Sequence, residues 1–141
     1  MDLYAKLQQL FASYRLSIVY VFGSQAEQLH SFLLGKKSTL NIAGSDLDFA
    51  VLSQNGSQFS LRKLIELTCD IEDLLGVFRV DVVDLHQAPP AIAAQAVMGR
   101  VLWADDPDFE SEFQLLVLRK YSDALPLYKE RFELIIHHQG A

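Results

Sequence analysis

Apolar positions recur along the chain with two different spacings, and the switches between them predict the elements. Leu3, Leu7, Leu10 and Phe11 stand three and four residues apart, so residues 2–14 read as an amphipathic entry helix whose stripe packs on a core. Arg15 to Phe22 is almost continuously apolar, as a buried strand is. Gly23-Ser24 turns the chain, and a helix is predicted over Gln25–Leu34. Gly35–Gly44, with its Gly, Lys, Ser, Thr and Asn, reads as a loop. Ser45 to Ser53 returns to a strand pattern, and Gln54-Asn55-Gly56-Ser57 ends it in a turn. Ser60 suits an N-cap, and Leu61, Leu64, Ile65, Thr68, Ile71, Leu74 and Leu75 then keep one helical face apolar. Cys69 lies on this helix and reads as a small buried hydrophobe, and Gly76 suits the C-cap.

Val77 to Leu85 predicts a third strand. Ala88-Pro89-Pro90 opens a short Ala-rich helix that runs to about Met98 and stops at Gly99. Arg100–Ala104 is a fourth short strand. Asp105-Asp106-Pro107 supplies a cap and a first-turn proline for a C-terminal helix over about 107–138. Phe109, Phe113, Leu116, Val117 and Tyr121 form its core stripe, which Tyr128, Phe132, Ile135 and Ile136 extend as a possible partner surface. Pro126 is expected to kink or split this helix. The whole reads as an α/β (α+β) fold, a small mixed sheet with packed helices in one domain over residues 1–141. Strand order does not follow from the pattern.

Composition narrows the classes. Half the residues are hydrophobic and 21% are charged, which is a globular balance rather than a disordered one. The net charge of −6 argues against direct nucleic-acid binding, because phosphate contacts need a basic surface, and fits a basic protein partner better. One cysteine allows neither an internal disulfide nor a Cys-rich zinc site. His30, His137 and His138 read as surface or packing residues rather than ligands. The start, Met1-Asp2-Leu3-Tyr4, lacks the basic and apolar regions of a signal peptide, and no apolar run approaches the roughly 18 residues that span a membrane. A cytoplasmic protein is expected.

The chemistry concentrates in two places. Asp46 and Asp48 sit two residues apart in a strand pattern, so they share a face while Leu47, Phe49 and Val51 share the other. Two carboxylates crowded on one face repel and lose hydration, and a divalent cation relieves both; Mg²⁺ in particular takes a few carboxylates plus substrate phosphates. Upstream, Gly23-Ser24 ends a strand ahead of a helix, where glycine lets backbone amides approach a phosphate and serine offers a hydroxyl. Asp81 and Asp84 in the third strand have opposite parity, so only one of them can join Asp46 and Asp48.

Gly23-Ser24, Asp46-x-Asp48 and a strand carrying Asp81 together resemble the nucleotidyltransferase superfamily related to DNA polymerase beta, and the short length resembles its minimal nucleotidyltransferase (MNT) branch. The resemblance runs from about Leu16 to Tyr128. It implies Asp46, Asp48 and Asp81 as the catalytic, metal-holding carboxylates, Gly23 and Ser24 as nucleotide-phosphate contacts, two Mg²⁺ ions, and ATP as donor. It selects Asp81 over Asp84, which is left as a cap or surface residue. It also implies a type VII-like antitoxin whose partner is a HEPN ribonuclease toxin, neutralised by AMP placed on a tyrosine hydroxyl. The rival class is an antitoxin that acts by binding alone; a small-molecule nucleotidyltransferase would need a substrate domain for which the chain has little room. Two features depart from the family. Residues Gln25 to Ser45, 21 in all, separate the Gly-Ser from the first Asp, where about ten is usual. The segment after Gly-Ser reads Gln25-Ala26-Glu27-Gln28, acidic where the family is commonly basic. Lys36 and Lys37 read as solvated loop lysines, with replacement of that missing cation as the functional alternative.

Overall fold

A computed structural model describes residues 2–36, 40 and 46–139, with the side chains at 128, 132 and 135–139 outside that description. The elements are α1 (Leu3–Ser13), β1 (Leu16–Phe22), α2 (Ala26–Leu33), β2 (Leu47–Ser53), α3 (Leu61–Leu75), β3 (Val80–Asp84), α4 (Pro90–Val97), β4 (Arg100–Ala104) and α5 (Pro107–Gln139). The strands form one sheet in the order β3-β2-β1-β4. β1 runs antiparallel to both β2 and β4, while β2 and β3 are parallel and joined through α3.

β1 is buried along its whole length because helices cover both faces of the sheet. Val19, Val21, Phe49 and Val51 point to one face, where Leu7 and Phe11 of α1, Leu29 of α2, and Leu67 and Ile71 of α3 meet them. Ile18, Tyr20, Phe22, Ala50 and Leu52 point to the other, under Ala93, Ala94, Ala96 and Val97 of α4 and Val117 of α5. The small residues of α4 let it lie close to the sheet. Gly99 is part of that close fit: a Cβ there would run into the Val21 carbonyl and stand 2.8 Å from Phe22 Cβ. The buried Tyr20 donates its hydroxyl to Glu110 Oε2 at 2.6 Å, which ties α5 to the central strand.

The caps follow the expected chemistry. Asp2 accepts from the Ala5 amide and Ser60 from the Lys63 amide, and Gly76 takes the left-handed conformation that ends α3. Asp106 accepts from the amides of Asp108 and Phe109 at the start of α5.

Several boundaries and faces differ from expectation. β2 begins at Leu47, so Asp46 stands just ahead of the strand rather than within it. β3 begins at Val80, leaving Phe78 and Arg79 before it. α3 buries Leu67 and Ile71 and leaves Leu61 and Ile65 exposed, because the sheet-facing stripe runs through 64, 67, 71, 74 and 75. Cys69 falls on the outer face with Ile65 and is exposed, not buried. On α5 the inward residues are Phe113, Val117, Leu118 and Tyr121; Leu116 turns outward, and Phe109, one turn before Phe113 on the same line, is exposed in the first turn of the helix. Pro126 lies inside a continuous helix and does not split it. The expected loop over Gly35–Gly44 is described only at 35, 36 and 40; Lys37, Gly44 and Ser45 lie outside the described residues, as do the side chains of Tyr128, Phe132, Ile135, Ile136, His137 and His138. Among the described residues no helix is long and apolar enough to cross a membrane.

Candidate active site

The strand directions bring four chain segments to one end of the sheet. β1 ends where β2 and β4 begin, since it opposes both, and β3 begins there because it parallels β2. Gly23-Ser24, Asp46, Arg79 and Gly99 therefore meet at that end.

The register then sets the carboxylates. Phe22 pairs with Asp48, and Asp48 pairs with Asp81. Paired positions of neighbouring strands point to the same face, about 4.8 Å apart. Asp48 and Asp81 thus stand side by side on the α4 face, and Asp46 is near enough for its charge to act on both. Asp48 is half-buried, whereas Asp46 and Asp81 are exposed. Lost hydration, followed by the charges of Asp81 and Asp46, pushes the Asp48 carboxyl up from its ordinary range. Asp81 is pushed up likewise, by lost hydration first, then by Asp46 and by Glu72.

Arg79 stands 3.9 Å from Asp46, with both side chains largely in solvent. Among the described residues no three His, Cys, Asp or Glu side chains converge as ligands of one ion; Asp46 has Arg79 as its ion-pair partner. The donor chemistry nevertheless suits a hard divalent cation: every candidate donor is a carboxylate oxygen, and two of the three groups sit where an added positive charge relieves them.

Gly23 is required twice over. Its φ of +83° lies in the left-handed region, and a Cβ there would meet Asp48 Oδ2 at 2.6 Å. The turn's backbone therefore lies directly against the Asp48 carboxylate. Ser24 follows with its side chain exposed, and α2 begins two residues later. Gln25, at the N-cap position of α2, makes no side-chain bond to the helix's first amides.

The parity argument for the third strand holds. Asp84 points away from Asp81, and it is buried rather than on the surface. Its carboxylate accepts from the amides of Phe59 and His86 and from the side chain of Gln87. A cavity of about 490 Å³, lined by Tyr14, Arg15, Ser53, Ser60 and Lys63 among others, lies at the opposite end of the sheet and holds none of the predicted residues.

Sequence reasoning missed two arginines at the carboxylate end. Arg79 beside Asp46 was within reach of it, since it precedes Asp81 by two residues. Arg100, which donates from Nε to Glu27 Oε1 at 2.6 Å, was not, because 73 residues separate the two. Lys36 instead follows α2 at its far end, bonded through its backbone amide to Ser31.

A family model described as "Polymerase beta, Nucleotidyltransferase" matches residues 5–108, a span that contains every residue named at this end of the sheet. Among solved structures the chain is similar to a mutant of the toxin-antitoxin complex MntA-HpeT in which two aspartates two positions apart are changed to glutamate; identity is 24%, TM-score 0.70, and 98% of each chain is covered. It is similar to a toxin-antitoxin structure with AMP-PNP, at 25% identity and a TM-score of 0.67 with 98% of each chain covered. It is also similar to a complex of tri-AMPylated Shewanella oneidensis HEPN toxin with MNT antitoxin, at 23% identity and a TM-score of 0.66, covering 99% of this chain and 97% of that one. No curated protein matches.

Proposed function

Taking as premise that the chain belongs to the polymerase beta nucleotidyltransferase family, we propose that it is an antitoxin that transfers AMP from ATP to a tyrosine hydroxyl of a HEPN ribonuclease toxin, and so silences it. One observation carries the reading: the parallel register that sets Asp48 beside Asp81, with the Gly23 turn against Asp48. The solved complexes that pair an MNT antitoxin with a tri-AMPylated HEPN toxin, and a toxin-antitoxin with AMP-PNP, support the choice of donor and acceptor.

In this reading Gly23 leaves room for a phosphate against its backbone, and Ser24 donates its hydroxyl to a phosphate oxygen. The first amides of α2, which lack a side-chain cap, favour negative charge there. Asp46, Asp48 and Asp81 are the residues that would hold two Mg²⁺ ions. Magnesium, when bound, neutralises the polyphosphate and lowers the pKa of the acceptor hydroxyl. Asp81, on the edge strand and exposed, stands nearest an arriving protein acceptor. The phenol oxygen bonds to the α-phosphorus as the bond from that phosphorus to the bridging oxygen breaks. Pyrophosphate leaves, and the phenol proton passes to water beside Asp81. The reaction belongs in the cytoplasm and involves no direct contact with nucleic acid.

Intact-mass spectrometry of a HEPN toxin co-expressed with the wild-type chain or with Asp46→Asn tests the reading. AMP-sized increments with wild type alone are the expected result. No increment in either case, with a stable complex in both, would leave neutralisation by binding alone.

A further inference from the structure

We propose that Arg100 is the cation that recognises the terminal phosphates of the donor nucleotide, and that Glu27 positions it; the proposal rests on the nucleotidyl-transfer reading above. The problem it answers is electrostatic. A polyphosphate must approach an end of the sheet that already holds Asp46, Asp48, Asp81 and Glu27, on a chain of net charge −6. Mg²⁺ held by the three aspartates would offset part of that charge; at the Gly-Ser turn itself the remaining donors are backbone amides and one serine hydroxyl, which carry no net charge.

Arg100 is the first residue of β4, and its register partner is Val21, two residues before Gly23. Its side chain reaches the first turn of α2, where Glu27 lies three residues after Ser24. The bond runs from Nε alone, and among the described residues neither terminal amino group has a partner. A guanidinium held at Nε keeps a planar pair of N–H donors aimed outward, a geometry that matches two phosphate oxygens. Both side chains are about half exposed or more, so the ion pair contributes little to stability. Its consequence is orientation: Glu27 fixes a long, otherwise mobile side chain beside the Gly-Ser turn. Arg79 serves the other flank, next to Asp46, and Lys36 stands beyond the far end of α2.

Calorimetric titration of the purified full chain, in Mg²⁺, with AMP-PNP and separately with AMP tests the assignment. Arg100→Ala is expected to weaken AMP-PNP by about tenfold or more while changing AMP by less than about twofold, since AMP lacks the phosphates in question. Arg100→Lys should restore part of the loss, and Glu27→Gln should fall between Arg100→Ala and wild type. Melting temperatures close to wild type would separate these effects from misfolding. Equal AMP-PNP affinity in wild type and Arg100→Ala would overturn the proposal. Absence of AMP-PNP binding by the wild type would overturn the nucleotide reading itself, and this assignment with it.

Discussion

Both ends of the sheet carry polar groups, and the two ends treat them in opposite ways. At the end where β1 begins, polar side chains are matched from within the chain. Asp105 accepts from Ser17 and Gln54, Ser53 donates to the Ser57 carbonyl, and buried Asp84 takes three N–H donors. At the end where β1 finishes, Asp46, Asp48 and Asp81 are set against one another, and two of them are pushed up in pKa. A fold closes its buried polar groups wherever they serve structure. Like charges left facing each other mark the end kept for something that arrives from outside.

The sharpest way to break this contrast is to damage the matched end. Asp84→Ala leaves the partly buried amides of Phe59 and His86 without the acceptor that buried Asp84 supplies. It should cost about 3 kcal/mol in urea unfolding. Gly23→Ala comes next. It combines a left-handed φ with a collision against Asp48, and should cost about 1–2 kcal/mol while removing transfer. Asp48→Asn inverts the sign: it removes like-charge crowding and should raise the melting temperature, by about 2 °C, as it abolishes transfer.

The smallest effect is the pH dependence behind that inversion. The folded pKa of Asp48 and Asp81 lies above the unfolded value, so between the two values the native state binds more protons. Stability contributed by these groups is therefore full below the ordinary carboxylate pKa and is lost as pH rises through the raised values. Melting curves taken upward from pH 3.8 should show that loss in the wild type, and a smaller one in Asp48→Asn. A loss of equal size in both proteins would remove these carboxylates as its cause.

Much of the candidate site was legible because it depends on local rules. Alternation separated Asp81 from Asp84, though the pairing of Asp46 with Asp48 by the same rule did not carry over, because Asp46 stands ahead of the strand. Gly23 announced a turn by its own conformational freedom. Caps at Ser60 and Gly76 were legible for the same reason. What stayed hidden depends on contacts between distant segments. The Asp48–Asp81 pairing needs the strand order, and the Arg100–Glu27 contact needs β4 laid beside β1. Helix faces failed where apolar residues occupy more positions than one stripe can bury. On α3, Leu61, Ile65 and Leu67 compete, and only the line through Leu67 and Ile71 meets the sheet. Cys69 was misassigned along with that line.

The central place of β1 also sets a timetable. Leu16–Phe22 leaves the ribosome before the other strands of this sheet, yet its partner on one side, β4, follows only at Arg100–Ala104. Translation of the roughly 80 residues between them takes some seconds at ordinary rates of synthesis. Through that interval the most apolar strand of the protein has an unpaired edge, which is the feature that recruits chaperones or seeds misassembly. The hydrophobicity that makes the strand a good floor for the carboxylate end makes the newborn chain dependent on the last strand arriving in time.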